Sequence, residues 1–165
     1  MTTERLHLGR SVRDLTGLFK QTMPFQSVPK PLLKTLVALS RSVRYEKGQL
    51  IYDIGDPAED LYIVYLGEVA VIFPPGGELE NLSRAMRSGS VFGWDALFKN
   101  RSIELSYRLG RARVRDEAEL MLINADEMEN LFDADYAAYR IMMGRFVSMI
   151  AHESSMLAAW TGVDT

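Results

Sequence analysis

The chain contains no cysteine, which removes thiol nucleophiles, thiolate metal sites and structural disulfides together. Histidine is almost missing, with only His7 and His152, far apart in the sequence. A jelly-roll metalloenzyme needs histidines and carboxylates gathered on its strands, and that ligand set is not there. The same shortage leaves every serine without the histidine of a hydrolase triad. No Gly-Lys-Ser/Thr phosphate loop and no GxGxxG fingerprint occurs. No apolar run approaches the roughly 20 residues of a membrane span, and the opening MTTERLHLGR lacks the apolar core of a secretory signal. These gaps lead to a non-enzymatic, cytoplasmic protein with no metal site, no membrane contact and no required cofactor.

What is present is an ordinary globular mixture: 165 residues, 47% hydrophobic and 25% charged, with a net charge of -3. That length suits one domain, or one domain with a helical appendage. Charge is unevenly spread. Bases dominate residues 1–47, acids dominate 48–100, and Arg101, Arg108, Arg111, Arg113 and Arg115 are then opposed only by Glu104 before an acidic stretch from Asp116 to Asp135. Two readings stand: solvated faces that pair with one another, or an arginine segment that serves an anionic ligand. A slightly acidic chain is a poor partner for nucleic acid, so a small anion is the better candidate for the second.

Periodicity divides the chain into helix, strands and helix. Leu8, Val12, Leu15 and Phe19 follow an amphipathic stripe. Pro31 then suits a first helical turn, with Leu32, Leu33, Leu36, Val37 and Leu39 as its apolar face. From about residue 42 short strands alternate with glycine turns. Val43 and Tyr45, residues 50–54, and Leu61–Leu66 come first, the last apolar throughout as in a strand buried on both faces. Val69, Val71 and Phe73 lead to a hairpin tip at Pro74-Pro75-Gly76-Gly77. Residues 81–87, a helical turn at Trp94–Phe98, and strands at Arg111–Val114 and Ala118–Ile123 complete the set. The fold class is mainly β with flanking helices, a jelly-roll-like β-roll rather than βαβ units.

The last third returns to helix. Ala125–Phe132 is a short amphipathic one, and Asp135 can cap another that runs to about Trp160. Tyr139, Met142, Phe146, Met149, Met156 and Trp160 form one apolar stripe on it, with Met143, Ile150 and Leu157 alongside. Two stripes let the helix rest on its own domain while meeting a second copy of the chain. The first stripe is assigned to a homodimer seam. The domain plan is then an N-terminal helical segment (1–30), a β-roll with short helices (31–134) and a long dimerising helix (135–165).

Ser88 to Glu119 joins a glycine turn, a helix start and the arginine segment. A helix start presents unpaired N–H groups to an anion, and an arginine from the next strand would complete such a site. Here the sequence resembles the cyclic nucleotide-binding domain family, as in bacterial regulators of the catabolite-activator (Crp/Fnr) kind, over about residues 30–160. The resemblance rests on Tyr45-Glu46-Lys47-Gly48, Ile54-Gly55-Asp56, Leu61-Tyr62-Ile63-Val64, Leu66-Gly67-Glu68-Val69, Ser88-Gly89-Ser90-Val91-Phe92-Gly93 and Glu119-Leu120. It implies an N-terminal helical segment, a roll of about eight strands and a long C-terminal dimerising helix.

It also implies a ligand site. The family's phosphate cassette reads Phe-Gly-Glu, a short helix, then Arg-Ser/Thr-Ala; its Glu holds the ribose 2′-hydroxyl and its Arg the cyclic phosphate. The residues in register are Phe92, Gly93, Trp94, Asp95 and Ala96, followed by Arg108, Leu109 and Gly110 when counted back from Glu119, or Arg101 and Ser102 by the literal dipeptide. Trp94 stands where the family has Glu, and an indole N–H only donates. Three outcomes stay open: Trp94 plugs the nucleotide cavity, Asp95 and Arg108 recognise a cyclic nucleotide in altered fashion, or another anionic or aromatic effector stacks on Trp94. A protein partner on the long helix is a further option. The chain stops at Thr165, shortly past the expected helix end, so no DNA binding by this chain alone is expected.

Overall fold

Two long apolar segments pair with each other and build the fold. In the computed structural model the described residues are 12–72, 83–98 and 106–161, with side chains described over 15–72, 84–97 and 106–152. Helices α1 (Val12–Gln21) and α2 (Lys30–Leu39) precede six strands: β1 (Arg41–Tyr45), β2 (Leu50–Tyr52), β3 (Asp60–Ile72), β4 (Ser83–Met86), β5 (Val91–Phe92) and β6 (Arg111–Asn124). A 3₁₀ helix (Trp94–Phe98) lies between β5 and β6, and α3 (Ala125–Ala134) and α4 (Tyr136–Thr161) follow. The sheet order is β1-β6-β3-β4, with β2 on β6 and β5 on β3, and the pairings are antiparallel.

The β3–β6 ladder separates two cores. Leu61 faces Ile123, Tyr62 faces Leu122, Ile63 faces Met121 and Val64 faces Leu120 across it. Successive side chains of a strand point to opposite faces. Leu61, Ile63, Met121 and Ile123 therefore enter a core shared with the helices, while Tyr62, Val64, Leu120 and Leu122 fill the interior of the roll. Burial on both faces holds from Asp60 to Val64 and ends there, since Leu66 is exposed.

Among the described residues six strands are present, and β3 and β6 each run through what the sequence suggests as two. The ladder changes register between Val64 and Val69, and Gly67 sits at that point with φ +89°. A Cβ on Gly67 would lie 2.7 Å from the Ala118 Cα, so the crossing backbones require glycine there. The helix at Asp135 forms as expected, its Oδ1 accepting from Ala138 N at 3.0 Å, and a proline occupies the first turn of α2.

The first stripe on α4 faces inward, and Met143 and Ile150 of the second pack at the margin of the same core. Met142, Phe146 and Met149 lie inside the chain's own helical core, with Tyr139 packed at its margin. Phe146 meets Phe25 edge-on at 6.2 Å between ring centroids. Those buried side chains are therefore spent within the chain instead of forming a seam. Among the described side chains of α4, the exposed large apolar ones are Tyr136 at 70% and Val147 at 61%, eleven residues apart on one face. Leu8, the 74–77 hairpin tip, Arg101, Ser102 and the side chains of Met156 and Trp160 lie outside the described residues.

Candidate functional site

Arg108 is the centre of the site, and backbone pairing delivers it. Arg108 N donates to Asp56 O at 2.7 Å, Gly55 N donates to Arg108 O at 2.9 Å, and Ala58 N donates to Ser106 O at 3.0 Å. The turn after β2 thereby aligns residues 106–108 as a short antiparallel segment. The side chain passes into the roll, where the residue is 2% exposed.

A buried guanidinium has to be surrounded by acceptors. Nη1 donates to Gly93 O at 2.9 Å and to Asp95 Oδ1 at 2.6 Å, and Nη2 donates to Asp60 O at 2.6 Å. The guanidinium carbon lies 4.3 Å from the Tyr52 ring centroid and 5.6 Å from that of Tyr62, close enough for cation–π attraction. Tyr62 in turn stacks on Phe92, with centroids 4.9 Å apart and 6° between planes. Nε is buried without a hydrogen-bond partner.

Gly93 makes the close approach possible. Its φ is +73°, and a Cβ there would lie 2.9 Å from Tyr62 Cδ2 and 3.0 Å from Arg108 Nη1. Asp95 belongs to the first turn of the 3₁₀ helix and accepts from Ala96 N at 3.1 Å while it holds Arg108. The structure thus brings Phe92, Gly93, Asp95 and Arg108 together. Ala96 is buried against Ala58 and Ala125, Leu109 is exposed, and Gly110 passes close to the Ile72 carbonyl.

Trp94 points elsewhere. It packs at the edge of the helical core and does not line the cavity of about 340 Å³ beside Arg108. Neither a plug in that cavity nor a stacking platform in it is what the indole supplies. Arg108 and the tyrosines fill the interior in its stead. Three participants escaped the sequence reasoning: Tyr52, Tyr62 and Asp60. Strand alternation marks Tyr62 as inward-facing, but a tyrosine in an apolar strand carries no sign of a guanidinium neighbour.

Burial shifts the tyrosines. Tyr45 is pushed up to about 12, chiefly by burial and then by the Asp60 carboxylate. Tyr52 and Tyr62 are also raised, mainly by burial, with the Arg108 charge opposing. All three remain neutral phenols at physiological pH. On the outside, Asp53 is held below the usual carboxylate range by its hydrogen bonds from Arg111, at 2.8 and 3.1 Å. Among the described residues no group of three or more His, Asp and Glu is placed to hold a metal ion, and no helix is long and apolar enough to cross a membrane.

Solved structures show the same architecture. A Ruegeria pomeroyi protein named for cyclic nucleotide binding superposes with a TM-score of 0.69 at 15% identity, covering 94% of this chain and 66% of its own. The present chain thus spans just under two thirds of that protein. A similarly named protein from Geobacter metallireducens gives 0.68 at 17% identity over 87% of this chain and 97% of its own. The regulatory domain of Toxoplasma gondii PKA, solved with cAMP, gives 0.62 at 23% identity over 78% of this chain and 46% of its own. No curated protein sequence gives a significant match. The sequence profile described as "Cyclic nucleotide-binding domain" matches residues 42–135, more than half of the chain, and with the roll and the Arg108 cradle in place the chain belongs to the cyclic nucleotide-binding domain family.

Proposed function

We propose that this chain is a non-enzymatic regulatory sensor domain whose nucleotide cradle is held shut by its own Asp95, so that cyclic AMP and cyclic GMP bind weakly or not at all. The observation that carries this reading is the 2.6 Å contact between Arg108 Nη1 and Asp95 Oδ1, at side-chain exposures of 1% and 12%. A cyclic phosphate needs the arginine's donors. Here Nη1 and Nη2 are committed to a carboxylate and two carbonyls. An incoming phosphate would either displace Asp95 from Nη1 or bring a second negative charge beside it, which costs more in a low-dielectric interior than in water. Trp94 offers no acceptor to a ribose hydroxyl.

The same carboxylate favours a second reading, genuine cyclic-nucleotide binding. Asp95 stands one residue after the family's Glu position and still reaches the cradle, so it has an acceptor for the ribose while Arg108 takes the phosphate. Thermal denaturation with cyclic AMP or cyclic GMP at millimolar concentration separates the two. The closed-cradle reading expects an unchanged midpoint, and a saturable rise supports the second reading.

For output, the outward face of α4 is the surface we assign to a second copy of the chain. Tyr136 and Val147 are exposed on it, flanked by the partly buried Met143 and Ile150. A ligand shifts how that helix packs only as far as it binds two arrangements unequally.

A further inference from the structure

The cavity of about 340 Å³ beside Arg108 continues the cradle, since Arg108, Tyr52, Tyr62 and Asp60 form part of its wall. Its volume lies in the range of small-ligand pockets. β1 adds Arg41 and Tyr45, which alternate inward as strand periodicity dictates. Asp56 and Glu59 stand exposed at the rim.

Neither sign of ligand charge is favoured here. Two guanidiniums and three carboxylates share the wall, so an anion meets Asp56, Glu59 and Asp60 while a cation meets Arg41 and Arg108. The inner charges are already matched: Arg41 Nη2 lies 2.9 Å from Asp60 Oδ2, and Arg108 is held by Asp95 and two carbonyls. What is spare is hydrogen-bonding capacity of both kinds. Asp60 Oδ1 is an acceptor and Arg108 Nε a donor, each buried without a partner among the described residues, a condition that is costly and rare in folded proteins. The Arg41 guanidinium has further N–H groups beside the one that meets Asp60. The hydroxyls of Tyr45, Tyr52 and Tyr62 have no hydrogen-bond partner among the described residues, and all three side chains line the cavity.

We infer that the cradle, closed to cyclic nucleotides as proposed above, takes an uncharged ligand bearing vicinal hydroxyl groups, the chemistry shared by a free sugar and the ribose of a nucleoside. A hydroxyl both donates and accepts, so it serves a wall that offers both partners and asks for no net charge. The Arg41–Asp60 pair sets a carboxylate oxygen and guanidinium donors side by side. Two adjacent hydroxyls match that arrangement, one donating to Asp60 and the other accepting from Arg41. The tyrosine rings add the apolar, aromatic wall that small-ligand sites use. A 3′,5′-cyclic phosphate ties up two of the sugar oxygens and leaves only the 2′-hydroxyl. The diol is therefore what a nucleoside has and cyclic AMP lacks. This assignment rests on the closed-cradle reading.

The test is calorimetric titration of the full chain with adenosine and with methyl β-D-ribofuranoside, each beside its 2-deoxy counterpart, and with cyclic AMP. The expected result is saturable binding of at least one diol and a loss of tenfold or more in affinity for its deoxy counterpart. Binding of the riboside makes the sugar alone sufficient, and binding of adenosine alone makes the ligand a nucleoside; either supports the assignment. Tyr45→Phe and Asp60→Asn, each with the circular dichroism spectrum of the parent, are expected to weaken the diol. The deoxy comparison is made on the parent chain, so it decides the matter even where a variant does not fold. Equal binding of the deoxy counterpart overturns the assignment, and so does diol affinity unchanged in both variants. Saturable binding of cyclic AMP by the parent overturns the closed cradle and this assignment with it, whereas silence from every probe overturns this assignment alone.

Discussion

Arg108 Nη1 and Asp95 Oδ1 lie 2.6 Å apart inside the roll, and the short helix that carries Asp95 is held to the strand side by this contact and by the Gly93 carbonyl on the same nitrogen. The pair neutralises the charge that the fold otherwise reserves for a phosphate. Removing one member leaves the other buried and uncompensated, which costs about 3–5 kcal/mol. Asp95→Ala is therefore expected to lose stability on that scale in chemical denaturation, and Arg108→Ala to lose at least as much because the Tyr52 stack goes with it.

Gly93 and Gly67 make a second prediction by their backbone angles. Gly93→Ala places a Cβ against Tyr62 and Arg108 at φ +73°, and Gly67→Ala drives one into the backbone of Glu117 and Ala118. Gly89 also has a positive φ, but a Cβ there meets nothing within 4 Å. Gly89→Ala should cost only the left-handed conformation, about 1–2 kcal/mol. Gly93→Ala should exceed it, and Gly67→Ala should cost most, since backbone cannot move aside as a side chain can. Urea midpoints of the three variants give the order.

α4 supplies a third. Phe146 is fully buried against Phe25, so Phe146→Ala should destabilise by about 3–5 kcal/mol, and Phe146→Asp should prevent folding rather than yield a folded monomer. Val147→Asp alters the outward face and should leave the fold intact. If α4 pairs with a second copy, light scattering will show the mass of the parent halve in Val147→Asp. An unchanged dimer would place the contact elsewhere.

The fourth concerns pH. Tyr45 is raised from 10.0 to about 12 in the folded chain, so the native state holds its proton over a range where the unfolded chain releases it. Its contribution is fully present below pH 10 and is lost as pH rises from there toward 12. Asp53 is lowered by Arg111, so its contribution is present above the ordinary carboxyl value and lost as pH falls below it. Tyr45→Phe should flatten the alkaline limb of a thermal-midpoint profile and Asp53→Asn the acid limb, the latter slightly because the pair is solvent-exposed.

Much of the fold is legible in the sequence because it rests on local signals. The apolar runs Leu61–Val64 and Leu120–Ile123 identify the central ladder, Asp135 marks one helix start, and Pro31 marks another. What is not legible depends on partners distant in sequence. α4 carries two apolar stripes of similar strength, and nothing along the helix says that Phe25, more than a hundred residues earlier, will cover Phe146. Trp94 occupies a position where the family holds a ligand contact, yet the turn at Gly93 sends its ring towards the helices. The cradle's tyrosines were hidden for the same reason: Tyr52 meets Arg108 only because residues 106–108 pair with the turn after β2.

The closed cradle is tested most directly by calorimetric titration of cyclic AMP into the parent chain and into Asp95→Ala, each shown to be folded at the temperature used. The account predicts no saturable heat from the parent and saturable binding in the variant, whose Arg108 is freed for a phosphate. Saturable binding by the parent that Asp95→Ala weakens would contradict it, and would make Asp95 a ligand contact instead of a latch.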